Sequence, residues 1–355
     1  MVLATLAMMP SCTRYFAGDP ALTEPSGAIL PNEGNAPRAL SMFEGSTGRS
    51  LGWADVMASA SWADAVFIGE RHDDPTAHAV QLAIFEDLNA GYPGTALALE
   101  HLERDEQLMV DQYLRGEITA DAFIDATESR NWAGKDTWVP FFQPMIDAAR
   151  ETGSPVVAAN APREFVRRAR EEGHDALAAN ASSDRALYDL PVTERLPLVT
   201  GDWNERWAAY QSRFREIMSS DSDFESDGAF SEDARTRLDT IFLSQSTWDG
   251  TMGTSAANAL ERGAPKVVLC AGCFHIERDG GTVLQFEARK PMAKVLTVTV
   301  IDASSQRLRD EDRNAADVVI YGFPVERKKP EVDSAPAKPD TTTEKPANSA
   351  APPTR

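Results

Sequence analysis

Two glutamates and two histidines stand where chemistry is easiest to build. Glu70 closes the apolar run Val66-Phe67-Ile68-Gly69, and Glu100 closes Ala96-Leu97-Ala98-Leu99. His72 follows the first run by two residues, and His275 follows Val267-Val268-Leu269-Cys270-Ala271-Gly272 by three. A carboxylate beside an imidazole can run general acid–base catalysis, or hold a divalent ion that activates water. If the strands ending at Glu70 and Glu100 are neighbours, their carboxylates stand about 4.8 Å apart, and like charges that close require a proton, a cation or an arginine between them. Glu70 and Glu100 are therefore candidate metal ligands. The alternative is that each caps the helix after it, where the macrodipole favours an anion.

Other residues extend this set. A fourth apolar run, Val156-Val157-Ala158-Ala159, ends at Asn160. Arg163 falls in the first turn of the next helix, where positive charge is disfavoured, so it should face an anion: Glu70, Glu100 or a ligand carboxylate. Arg104 follows Glu100 closely enough to serve similarly, or to lie exposed on its helix. His72 sits in a strand-to-helix loop, the usual place for ligand-facing residues. His78 shares a helical stripe with Leu82 and Phe85, which also suits a packed core residue. His101 and His174 lack supporting context. Haem attachment needs histidine directly after the second cysteine; in Cys270-Ala271-Gly272-Cys273-Phe274-His275 a phenylalanine intervenes. A redox dithiol stays open there, whereas a four-cysteine zinc site is excluded. Trp203, Trp207, Tyr210 and Phe214 form one aromatic stripe, and Trp132, Trp138, Phe141 and Phe142 a second cluster. Either suits a core or a flat cofactor. No Gly-x-Ser-x-Gly elbow is present, which disfavours an ordinary serine hydrolase.

Positioning these residues requires a layered fold. A helix over Ser50 to Ala63 leads into the strand ending at Glu70; Asp74-Pro75 then supplies an N-cap and a proline at the first helical position. Strand follows again to Glu100, with helical pattern over Leu102–Leu114, Thr119–Ser129 and Pro140–Glu151. After the strand ending at Asn160, the stretch from Asp202 to Arg262 is largely helical around an acidic loop at Ser219–Gly228. Strand character returns at Lys266–Gly272, Val295–Ile301 and Ala316–Phe323. This order predicts an α/β fold: a mostly parallel central sheet flanked by helices, with a helical insertion between the third and fourth strands. Ligands of such sheets bind beyond the carboxyl ends of the strands.

Composition sets the surroundings. The chain has 355 residues and a formal net charge of -20, which repels phosphate backbones and argues against nucleic acid as a partner. No apolar stretch reaches the roughly 18 residues a membrane span needs. Residues 1–11 resemble the end of a bacterial lipoprotein signal, with Cys12 as the lipidated residue and residues 12–38 as a flexible tether. Membrane contact is then expected through a lipid anchor alone. Residues 39–325 form the expected single domain, and 326–355, rich in Pro, Ala, Thr and Lys, a disordered tail.

Several segments together resemble the ChaN-type haem-binding lipoproteins: Gly69-Glu70-Arg71-His72-Asp73-Asp74-Pro75-Thr76-Ala77-His78, then Leu97-Ala98-Leu99-Glu100 with Arg104-Asp105-Glu106-Gln107. The match continues through Trp138 to Arg150, Ala159-Asn160-Ala161-Pro162-Arg163, Trp248-Asp249-Gly250-Thr251-Met252 and Ala271-Gly272-Cys273-Phe274-His275. It runs in order over about residues 40 to 325. The family resembles a haem-binding branch of a group that includes Tiki-type metalloproteases and erythromycin esterases, sharing the Gly-x-x-His seen here at Gly69 to His72. Two positions depart from the family pattern: His78-Ala79 replaces paired histidines, and Cys273-Phe274 occupies the turn before the last histidine. The resemblance implies an envelope lipoprotein that binds non-covalent b-type haem for haem or iron acquisition, forms a homodimer when loaded, and meets an uptake machinery. It implies cofactor contacts from His72, His78, Asn160 and His275, propionate partners in Arg104 and Arg163, and an iron ligand that is a tyrosine, with Tyr113 and Tyr210 as candidates by position, or a neutral histidine. The alternative is a metal-dependent or histidine-based hydrolase using Glu70, His72, Glu100 and His275.

Overall fold

In a computed structural model the chain is described over residues 36–195, 202–225 and 228–326. Eight strands make one sheet: β1 (Ser41–Glu44), β2 (Ser50–Leu51), β3 (Ala65–Glu70), β4 (Ala96–Glu103), β5 (Val156–Asn160), β6 (Val267–Gly272), β7 (Val295–Ile301) and β8 (Val318–Tyr321). Their order is β2-β1-β8-β7-β3-β6-β4-β5. The six strands from β8 to β5 run parallel, and β1 and β2 add an antiparallel edge. The expected α/β class and mostly parallel sheet are thus found, with the short antiparallel edge as an addition. It replaces the start of the helix expected from Ser50, because Ser50 pairs with Phe43 and Leu51 with Met42.

Helices cover both faces. Before β5 come α1 (Trp53–Trp62), α2 (Pro75–Gly91), α3 (Gln107–Leu114), α4 (Ala120–Ala126), α5 (Trp138–Phe141) and α6 (Gln143–Thr152). Between β5 and β6 lies the expected helical insertion: α7 (Arg163–Glu172), α8 (His174–Ala178), α9 (Ser182–Arg185), α10 (Trp203–Met218) and α11 (Glu232–Glu261). The short α12 (Cys273–Ile276) and α13 (Gly281–Arg289) follow β6. None of the described helices is long and apolar enough to cross a membrane. Residue 12 and residues 327–355 lie outside the described residues, so the lipidation site and most of the expected tail do as well.

Alternation along the strands sorts the core. Val66 and Ile68 of β3 pack with Leu97 and Leu99 of β4 in the cluster that holds α2 and α6. Ala65, Phe67, Ala96 and Ala98 pack on the other face against α11 and α13. Successive side chains of a strand point to opposite faces. Glu70 therefore continues the series facing α2, and Glu100 the series facing α11. The strands that carry them are not the neighbours that the sequence reading expects, because β6 runs between them and pairs with both. Two strand spacings separate them, roughly 10 Å.

Candidate functional site

Glu70 is the centre of the α2 side. Its side chain is wholly buried, and three imidazoles close on it: His101 Nε2 at 2.8 Å and His72 Nδ1 at 3.0 Å from Oε1, and His78 Nδ1 at 3.3 Å from Oε2. Gln81 donates to Oε2. His78 and Gln81 lie three residues apart on α2, hence on one face of the helix. The start of α2 is fixed by Pro75 at its first position and by Asp74, whose Oδ1 accepts the Thr76 N–H at 2.8 Å. Every acceptor around His78 matters: its Nε2 meets the His72 carbonyl at 3.0 Å, and its Nδ1 meets Gln81 Oε1 at 3.1 Å and Glu70. Burial would push the Glu70 carboxyl up, but the charges of His78 and His101 and hydrogen bonds from His101 and His72 hold it well below the usual range. The cation expected beside Glu70 is therefore built from imidazole.

Aromatic rings wall this half. His78 stacks on Phe141 with centroids 4.7 Å apart, His101 lies 4.1 Å from Phe142, and Trp132 stands edge-on to His72 at 4.7 Å and to His101 at 4.4 Å. The second aromatic cluster is thus the wall of the site. The stripe Trp203, Trp207, Tyr210 and Phe214 packs into core with Phe242 and Phe274.

Glu100 organises the α11 side. Its Oε2 accepts the Gly272 N–H at 2.6 Å, at the start of α12, and Oε1 lies 3.5 Å from His275 Nε2. It acts as a helix cap and a charge partner together. His275 Nδ1 is held at 2.7 Å by Asp249 Oδ1, which also accepts from Thr282; Asp249 Oδ2 accepts from Tyr210 at 2.7 Å. Gln245, one turn before Asp249 on α11, donates to the Tyr210 oxygen. Gly281 has to be glycine, since a side chain there would run into Asp249 and Tyr210. Burial lowers His275, but the Glu100 and Asp249 charges raise it overall; burial raises Glu100, but His275 and His72 with the Gly272 N–H lower it overall.

His72 joins the halves from beyond the sheet edge. Glu70 holds its Nδ1, while its Nε2 would lie 3.2 Å from a Cβ placed on Gly272, so only glycine there lets the ring approach. Burial lowers His72, but the Glu70 hydrogen bond and the charges of Glu100 and Glu70 raise it overall, against opposition from His275. Its side chain is 18% exposed, while those of His78, His101 and His275 are 2%, 0% and 5% exposed. His72 is the opening of the network to solvent.

The structure separates other candidates from this cluster. Tyr113 donates to Asp147 and stacks on Phe123, and burial followed by the Asp147 bond raises its pKa. Tyr210 is buried against Asp249, and burial followed by that charge pushes its phenol well up. Neither phenol stands ready as a tyrosinate. Arg163 pairs with Glu103, at 3.3 Å, rather than with Glu70 or Glu100, and its side chain is 77% exposed. Arg104 is tied to Asp189 at 2.8 Å and to Ser255. Asn160 donates to the Glu100 carbonyl, bracing β4 and leaving its side chain buried. Cys270 is a free thiol buried within β6. His101, Asp249, Gln81 and Gln245 are members the sequence reading passed over. Asp249 was within reach as part of Trp248-Asp249-Gly250, and His101 as the residue that must point opposite to Glu100.

Residues 56–286 match the family described as haem-binding uptake, Tiki superfamily, ChaN. The chain belongs to this family. Among solved structures it is similar to ChaN of Campylobacter jejuni, described for cofacial haem binding, with 18% identity over 81% of this chain and 97% of that one and a TM-score of 0.56. That likeness concerns the fold. Weaker likenesses reach the type III effector HopBA1 (13% identity, 82% and 99% covered, TM-score 0.41) and a mutant of the erythromycin esterase EreC in its open conformation (12%, 70% and 72%, TM-score 0.38). Neither carries an argument about this chain. No curated protein sequence matches it.

Two groups can be tried against these donors. For a divalent ion, Glu70, His72 and His101 each offer a ligand atom within 4.8 Å of the others. Imidazole and carboxylate suit zinc or iron. Glu100 is not part of that set, its carboxylate being engaged by the Gly272 N–H and His275. For haem, a carboxylate-braced histidine is a sound iron ligand because the brace fixes its tautomer. His72, braced by Glu70, fits that description; the two tyrosines do not.

Proposed function

We propose that this protein binds b-type haem non-covalently at the carboxyl edge of its sheet and serves haem or iron acquisition at the bacterial cell envelope. Membership of the haem-binding uptake family over residues 56–286 carries the reading. The site supports it with a braced, part-open His72 beside Trp132. His72 would hold the iron, Trp132 and Phe141 would border the macrocycle, and exposed Arg163 would meet a propionate. Bound haem supplies an iron centre whose ligation the protein controls. A lipid on Cys12 would tether the protein, and loaded copies would pair as homodimers that hand haem to uptake machinery. Mass spectrometry of envelope-fractionated protein tests the lipid, and light scattering with and without haemin tests the pairing.

Haemin titration tests the central claim. A saturable Soret change is expected in the parent protein and its loss in His72→Ala. Arg163→Ala should weaken binding by about tenfold, the usual scale for one charge-assisted hydrogen bond. Arg170, exposed on the same helix, is the control. An unchanged titration in His72→Ala would remove it as iron ligand.

A second reading is favoured by one observation: His72, Glu100 and His275 meet at Gly272, with Asp249 setting the His275 tautomer. That geometry suits a hydrolase in which an imidazole is general base or an ion at Glu70, His72 and His101 activates water. A colourless protein carrying stoichiometric metal, with no Soret response and with ester hydrolysis lost in His275→Ala, would favour it.

A further inference from the structure

Arg104 belongs to a basic cluster away from the histidines. The chain from Arg185 to Val192 lies against α11 and α13. The Asp189 N–H donates to Thr251 at 3.0 Å, and the Val192 amide is clasped by Gln285 at 2.7 Å from both its N–H and its carbonyl. Arginines reach it from two sides. Arg104 contacts Asp189 at 2.8 Å and the Ala186 carbonyl at 3.5 Å, and Arg289 donates to the Leu190 carbonyl at 3.2 Å. Arg185 lies over the Tyr188 ring at 4.7 Å, and its Nη1 is buried with no hydrogen-bond partner among the described residues. The Asp189 carboxylate favours the charge of Arg104 and Arg289, while the guanidiniums of Arg185 and Arg262 oppose it at Arg104 and those of Arg104 and Arg195 at Arg289. In a chain of net charge -20, this gathering of guanidiniums around Asp189 stands out.

A guanidinium nitrogen removed from water without an acceptor is costly. Tyr188, wholly buried and anchored to the Leu177 carbonyl at 2.7 Å, holds the Arg185 head in place by cation–π contact. The missing component is an anion with oxygens, which arginine binds in a planar fork.

We propose that Arg185, with Arg104 and Arg289 behind it, forms an oxyanion-binding site for a phosphate or carboxylate group. It is independent of the haem reading. The test uses the full chain and two probes, inorganic phosphate and succinate, followed by calorimetry. Saturable binding of at least one probe is expected, with the tighter probe naming the source chemistry. Arg185→Ala should weaken that binding by about tenfold or more, as for one charge-assisted hydrogen bond. Arg185→Lys should recover part of it, and Arg170→Ala should leave it unchanged. Arg185 is part-buried on the four-residue α9, so each variant is melted beside the parent and binding is compared at a temperature where both are folded. No saturable binding of either probe to the parent, or equal binding in parent and Arg185→Ala, overturns the proposal.

Discussion

Asp249 is the residue whose loss should be felt most widely. One carboxylate accepts from His275, Thr282 and Tyr210, and all four side chains are buried. Removing one partner of a buried charge pair costs about 3–5 kcal/mol, because the other charge is left uncompensated. Asp249→Asn keeps the shape and removes the charge, so it should destabilise the fold on that scale in urea denaturation and bring the His275 pKa down. Tyr210→Phe removes one donor only and should cost about 1–3 kcal/mol. NMR titration of the His275 ring separates the two. If its midpoint is unmoved by Asp249→Asn, the carboxylate does not set that ring's charge.

At the scale of elements, α2 shows what one cap does. Asp74 satisfies the Thr76 N–H, and the helix it starts delivers His78 and Gln81 to Glu70. Loss of an N-cap costs typically about 1 kcal/mol. Asp74→Ala should therefore lower stability by roughly that amount, offset in part because Asp74 Oδ2 is buried without a hydrogen-bond partner among the described residues. A denaturation midpoint unchanged or raised by Asp74→Ala would mean that the burial penalty exceeds the cap. This cap was legible in the sequence, as were the runs forming β3, β5, β6 and β7, because proline, acidic caps and apolar runs are local signals. Strand order was not. The pairing of β6 between β3 and β4 depends on contacts some 170 residues away along the chain, such as Glu100 with Gly272. Without it, Glu70 and Glu100 read as neighbours sharing one cation, when β6 separates their strands and His72 is the imidazole whose charge bears on both. β4 also runs on to Glu103, past the expected end at Glu100, since its pairing with β5 resumes at Asn160 beyond an irregularity. That extension is what places His101 under Glu70.

For the molecule as a whole, the shifted groups fix where the fold is most stable. His72 and His275 are raised in the folded state, so their contribution is full below the unfolded value near 6.5 and is lost as pH rises through the folded values. Glu106 is raised to about 7, by burial and then by the charges of Glu103 and Asp105 against the Glu103 N–H bond. Asp74 is raised to about 6, chiefly by burial. Both bind a proton more tightly folded than unfolded, so they too favour the fold at lower pH and lose that contribution as pH rises. Glu70 and Glu100 are lowered; their contribution is present above the unfolded carboxylate value and is lost only as pH falls through their folded values. The self-repulsion of a chain at -20 also eases toward its isoelectric point of about 4.7. All these trends meet in the same window, and thermal melts of the ligand-free protein should show maximal stability near pH ~5–6 rather than pH 8. Glu106→Gln should flatten the fall above pH 5 while leaving the acid limb, set by Glu70 and Glu100, in place. A melting temperature that rises steadily from pH 5 to pH 8 would show that the buried imidazole–carboxylate network does not govern the stability of this fold.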